Sequence, residues 1–120
     1  MATAAGAFNL FVMLALGHFV ADFGLQSDRM ANEKCPGTQG VLPWQWWLGS
    51  HGAIHGFMVG LLSGQAWLGL LEWLVHVAID RGKCRHSYGL VADQLLHLGS
   101  KGLWALLALG AAIPNPWWMG

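Results

Sequence analysis

The sequence predicts an all-α membrane protein, a four-helix transmembrane bundle made of two helical hairpins, and three observations carry that expectation. Of 120 residues, 55% are apolar and only 10% charged, against about 25% charged in an ordinary soluble domain. Eight tryptophans and seventeen glycines, types favoured at membrane interfaces and in transmembrane helices, accompany a mean hydropathy of +0.45. Apolar stretches of near-spanning length recur four times, and the strict alternation of membrane β-strands is missing. The length suits one domain, so residues 1–120 are read as a single transmembrane unit.

Spanning a bilayer takes about 20 mostly apolar residues, fewer where the membrane thins. The first helix is expected over about residues 7–26. Its leading stretch, "MATAAGAFNLFVMLALG", lacks the basic segment of a secretory signal, so it is read as a retained helix. An interfacial loop, 27–47, follows and ends in "PWQWW" (Pro43 to Trp47). The second and third helices, about 48–63 and 66–80, are short and joined by Ser63, Gly64 and Gln65, as in an antiparallel hairpin. The fourth runs over about 88–113, ended by Pro114 and Pro116, with "PWW" (Pro116 to Trp118) as a second interfacial anchor. Trp67, Trp73 and Trp104 read as lipid-facing or packing residues rather than as a cofactor cage.

Charge sets the orientation. Arg29 and Lys34 lie between helices one and two, and Arg81, Lys83 and Arg85 between three and four, while the remaining connections hold no Lys or Arg. Both charged loops share one side, which the positive-inside rule makes cytoplasmic, with both termini outside. Six basic residues balance six acidic ones, so no general attraction to nucleic acid is expected. Cys35 and Cys84 have no C-x-x-C or zinc spacing and are read as reduced thiols rather than ligands; a bridge between them is the alternative.

Each expected helix carries a polar pair at i, i+4: His18 and Asp22, His51 and His55, His76 and Asp80, Asp93 and His97. Residues four apart share a helix face. The topology puts all eight at one membrane depth, in the charged-loop half. An isolated Asp at a helix centre costs about 3 kcal/mol on insertion scales, so such groups face the bundle interior and pair with one another or with a cation. Imidazoles and carboxylates suit zinc, iron or manganese, and five His with three Asp are enough for two ions. The sharp reading is a mono- or dinuclear divalent-metal site, zinc first among the candidates. The bland one is a His–Asp hydrogen-bond network that fixes helix packing. Within the sharp reading His18, Asp22, His76, Asp80, Asp93 and His97 are ligands, His51 or His55 a ligand or catalytic base, and Lys83 and Arg81 contacts for a phosphate.

Gln26, Gln94 and Glu72 extend the same stripes as partners that orient imidazoles. Lys101, deeper still, balances a carboxylate such as Glu72 or lines a cavity. Asp28, Arg29, Glu33 and His86 read as solvated loop surface. "HFVAD" and "HVAID" at His18 and His76 look like two copies of one unit, each opening a hairpin, a weak internal repeat about the membrane normal.

At these residues the chain resembles the small bacterial membrane proteins grouped as domain of unknown function 3307. Their pattern runs "H-x3-D-F-x2-Q" then Lys, a His-bearing helix, "H-x3-D-x2-K" and "D-Q-x2-H". It is carried here by His18, Asp22, Phe23, Gln26 and Lys34, by His51 and His55, by His76, Asp80 and Lys83, and by Asp93, Gln94 and His97. The resemblance implies an inner-membrane protein of bacteria and delivers no mechanism; a more distant likeness to membrane-bound metal-dependent hydrolases is analogy alone. The expected function is a membrane-embedded metal-dependent hydrolase of a lipid or lipid-linked phosphoester. The alternatives are a metal-ion or proton carrier and a small accessory subunit of a larger membrane complex. Membrane lipid is the expected partner, with a homodimer or larger assembly in view because four short helices bury little surface.

Overall fold

A computed structural model describes residues 3–38 and 40–119. Those residues form five α-helices and no strand: α1 (Ala4–Phe19), α2 (Asp28–Glu33), α3 (Trp44–Ser63), α4 (Ala66–Cys84) and α5 (Leu90–Gly110). A π-helical turn, Val20–Gly24, extends α1, and a 3₁₀ turn, Trp117–Met119, follows α5. The long helices form a ring in which α1 packs on α3 and α5, and α4 packs on α3 and α5. The particle measures 47 × 24 × 21 Å.

Local chemistry explains the boundaries. Thr3 caps α1 by accepting from the Gly6 amide, and Ser27 caps α2 by accepting from the Met30 amide. That short helix lies inside the expected loop 27–47. Pro43, with its fixed φ, opens α3 at Trp44, so the "WQWW" stretch is the first helical turn rather than a loop anchor. Helix α4 continues to Cys84, four residues beyond the expected end at Asp80. Arg81 and Lys83 therefore lie in its last turn, where cations suit the helix dipole.

The expected hairpin is present. Gly64 takes φ +72° at the end of α3, a left-handed conformation that glycine adopts without penalty. The facing surfaces of α3 and α4 approach so closely that a Cβ on Gly69 would stand 2.5 Å from the Gly56 carbonyl oxygen. Helix α5 stops before the prolines: Ala112 adopts φ +49°, and the amides of Ala112 and Ile113 bond back to Leu109 and Ala108, a Schellman ending. The indoles of Trp117 and Trp118 then donate to the carbonyls of Leu61 and Leu62, satisfying groups that the end of α3 leaves without helical partners.

The interior is split along the bundle axis. Toward the α3–α4 turn, Leu10, Leu14, Val59, Leu62, Leu68, Trp104, Ala108 and Ile113 form the apolar core. The other half buries His18, His51, His55, His76, His97, Asp80, Asp93, Glu72 and Lys101. Outside, Phe8, Leu16, Phe57, Leu74, Leu95 and Leu106 are among the large apolar side chains left more than half exposed. Among the described residues one helical stretch, Ala4–Gly24, is long and apolar enough by itself to cross a membrane. His, Gly and ionisable residues lower the apolarity of the other three.

Cys35 and Cys84 form a disulfide, with Cα atoms 5.4 Å apart. This corrects the reading of both as reduced thiols. Nothing in their spacing signals the pairing; the fold supplies it by laying the end of α2 against the end of α4.

Candidate metal centre

All eight residues of the four i, i+4 pairs converge at one end of the bundle, as the sequence predicts. They form three overlapping groups within which the donor atoms lie no more than 4.8 Å apart: Asp22, His51, His55 and His76; His18, His76 and His97; and Asp80, Asp93 and His97. The five imidazoles lie ring against ring, His55 and His76 stacked with centroids 3.7 Å apart, His76 and His97 stacked at 4.1 Å, and His51 edge-on to His55 and His76.

The π-helical turn aims Asp22. Its wider winding, closed by the Leu25 amide on the Val20 carbonyl, leaves the Asp22 carboxylate 3.8 Å from His18 of its own helix. Its Oδ1 reaches across to α3, 3.2 Å from His51 Nε2 and 3.3 Å from His55 Nε2. Single π turns inside helices are frequent at functional sites. On α4, Asp80 Oδ1 lies 2.9 Å from His97 Nε2, and Oδ2 lies 3.4 Å from His51 Nε2 and 3.5 Å from His76 Nε2. Asp93 Oδ1 is 3.3 Å from His97 Nε2.

Buried polar atoms nearly always have partners, yet Nε2 of His51, His55 and His76 and Oδ1 of Asp93 make no well-aligned hydrogen bond and stand instead 3.2–3.5 Å from a carboxylate oxygen or an imidazole nitrogen of the cluster. A cation offers each of them a partner. Asp22, His51, His55 and His76 make a four-donor set of the kind that holds zinc, and Asp80, Asp93 and His97 a three-donor set.

Of the three expected imidazole partners, Glu72 and Gln94 each meet an imidazole and Gln26 meets the Asp22 carbonyl and Lys34 instead. Glu72 Oε1 stands 3.2 Å from His76 Nδ1, an arrangement that turns Nε2 toward the cluster. The carboxylate is held in turn by Lys101 and by the Trp104 indole, 2.6 Å from its Oε2. Trp104 is thus the packing rather than the lipid-facing of the two alternatives, a core residue that also holds Glu72. Gln94 accepts at Oε1 from His18 Nε2, 2.9 Å away, and donates from Nε2 to Asp22 at 2.8 Å and Asp93 at 3.2 Å. Gln26 donates to the Asp22 carbonyl.

At the mouth the two phosphate candidates part ways. Lys83 Nζ lies 3.8 Å from Asp93 Oδ2, beside the cluster. The Arg81 guanidinium lies over the Trp44 ring, 5.3 Å from its centroid, and no contact joins it to the cluster. Lys34, read from the sequence as a topology-setting charge, donates instead to Asp80 Oδ2 at 3.1 Å and Gln26 Oε1 at 2.9 Å. The Tyr88 hydroxyl donates to the Ile79 carbonyl, in a gap left by Gly82, where a Cβ would meet the ring. Asp28, Arg29 and His86 are exposed as expected, while Glu33 is half-buried and pairs with Arg29 at 3.1 Å.

A family model described as protein of unknown function (DUF3307) matches residues 10–101, a span that contains every residue of the cluster. No curated protein and no solved structure matches the chain.

Proposed function

The chain belongs to the DUF3307 family, described only as of unknown function, and from that premise we propose that it is a membrane-embedded divalent-metal protein acting as a metal-dependent hydrolase on a lipid-borne substrate. One observation carries the metal: three imidazoles and a carboxylate, His51, His55, His76 and Asp22, bring donor atoms within 4.8 Å of one another, and none of the three imidazole Nε2 atoms makes a well-aligned hydrogen bond. Zinc suits the His-rich four-donor set, and the three-donor set leaves a position for water or substrate, the arrangement of catalytic rather than structural sites. The ion would lower the pKa of a bound water to about 7 and polarise the scissile group. Of the chain's own groups, Glu72 orients His76, Gln94 orients His18 and steadies Asp22, and His51 or His55 is the candidate base where an ion occupies the three-donor set alone.

The membrane reading rests on the distribution of side chains. Ionisable groups line the interior and Leu, Phe and Trp cover the outside, the reverse of a protein solvated by water. Helices of 19 to 21 residues are about 30 Å long, the thickness of the hydrocarbon layer. A stable disulfide belongs to an oxidising compartment. Cys35–Cys84 lies at the mouth of the cluster and so favours an outward-facing mouth, opposite to the orientation that the Lys and Arg count implies. The apolar core behind the cluster speaks against a carrier, which needs a polar path to the far side.

The reading is tested by assaying detergent-purified, zinc-loaded protein on a panel of lipid esters and phosphoesters. Turnover that a chelator abolishes, zinc restores and Asp93→Asn removes supports it. No turnover of any substrate by the loaded protein would leave metal binding and refute the hydrolase.

A further inference from the structure

We infer that Lys34 and Lys83 form an oxyanion site at the mouth of the metal cluster, so that the substrate class is one bearing a phosphoryl group. This rests on the metal reading above and gives that site its ligand.

Charge balance carries the first step. Four carboxylates, Asp22, Glu72, Asp80 and Asp93, share this end of the bundle with three ammonium groups, Lys34, Lys83 and Lys101. With neutral imidazoles as ligands the buried groups, Lys83 left out because its side chain is 38% exposed, hold two net negative charges. One divalent ion neutralises them and two leave two net positive charges, and excess charge in so buried a place is costly unless a counter-charge joins it. The doubly loaded cluster therefore calls for an anion.

Geometry places it. Asp80 and Asp93 each turn Oδ1 to His97, and Oδ2 of each meets a lysine, that of Asp80 while also facing His51 and His76, so both ammonium groups border the three-donor set. Neither is saturated. Lys34 spends two of its three N–H donors, on Gln26 and Asp80. Lys83 stands 3.8 Å from Asp93, beyond hydrogen-bonding distance. Lys101 is sealed behind the imidazoles on Glu72 and takes no part. A tetrahedral phosphoryl group offers several acceptor oxygens, enough to meet a metal and two ammonium groups together. Arg81, held on Trp44, is replaced in this role by Lys34.

The experiment is calorimetric titration of inorganic phosphate into detergent-purified protein of measured zinc content, for wild type, Lys83→Met, Lys34→Met/Lys83→Met and the exposed Arg85→Ala. Phosphate is expected to bind the zinc-loaded wild type and Arg85→Ala alike. Affinity should fall about tenfold for each lysine removed, the scale of one charge-assisted hydrogen bond, at unchanged zinc content. A second arm uses nanodiscs with or without phosphatidate. Competition between phosphatidate and inorganic phosphate marks the ligand as a lipid headgroup, and its absence marks a soluble phosphate; both support the site. Zinc-loaded protein that binds no phosphate, or binds it equally after both substitutions, overturns this inference and leaves the metal centre standing. A wild type that takes up no zinc overturns both.

Discussion

The pair Glu72–Lys101 is a fully buried ionic contact, with side chains 0% and 1% exposed. Lys101→Met keeps the length of the side chain and removes its charge. The Glu72 carboxylate then retains the Trp104 indole and His76, two donors but no cation. Breaking a buried pair by removing one member costs about 3–5 kcal/mol, because the remaining charge is left uncompensated. For a chain of this size that is a fall in Tm of roughly 12–20 °C. Glu72→Gln should be similarly costly, since it leaves the Lys101 ammonium with neutral acceptors alone, the new amide oxygen and the His97 carbonyl and Ser100 hydroxyl, each of the latter two at 3.4 Å. The double variant, Glu72→Gln/Lys101→Met, removes both charges and should recover most of the loss, with a coupling of at least about 2 kcal/mol. Thermal melts of the four proteins in one detergent measure it. Additive losses, or a Lys101→Met variant within about 1 kcal/mol of wild type, would refute the claim that Lys101 is present to neutralise Glu72.

Three further outcomes follow from the packing. Gly69→Ala puts a methyl group 2.5 Å from the Gly56 carbonyl oxygen, so α3 and α4 must part by roughly 0.9 Å at a cost of about 1–3 kcal/mol; Gly99→Ala, with nothing within 4 Å, should be neutral or stabilising by up to about 1 kcal/mol. Melting temperatures separate the two. Opening the Cys35–Cys84 bridge, which closes a separation of 49 residues, should destabilise the fold by about 4 kcal/mol on the chain-entropy account, read as a lower Tm in reductant that Cys35→Ser/Cys84→Ser reproduces without it. In intact cells the reduced thiols should react with an impermeant maleimide applied from outside; labelling only after lysis would restore the cytoplasmic orientation.

The four pairs were legible because a helix repeats its face every three or four residues, so His18–Asp22 and Asp93–His97 announce a shared direction without any knowledge of partners. Their meeting at one depth followed from the order of helices and turns. Contacts that depend on distant chain segments were not legible: Lys34 reaches Asp80 across 46 positions, and Cys35 reaches Cys84 across 49. Helix ends were misplaced where charge was taken for loop. Arg81 and Lys83 continue α4 because a C-terminal turn favours cations, and "WQWW" opens α3 because Pro43 starts it. The π turn at Val20–Gly24 has no signature in "VADFG", although it decides where Asp22 points. Of the two roles open to Lys101, balancing a carboxylate such as Glu72 or lining a cavity, the fold takes the first.

The central claim is that the converging imidazoles and carboxylates hold a metal. Elemental analysis of detergent-purified wild type beside Asp80→Ala/His97→Ala, the latter shown to be helical by circular dichroism, tests it most directly. The account predicts one or two equivalents of a divalent transition metal, zinc foremost, in the wild type and a loss of at least one equivalent in the variant. A wild type that carries no metal and takes up none on titration would contradict it, and the five imidazoles would then be a proton-sharing and packing network.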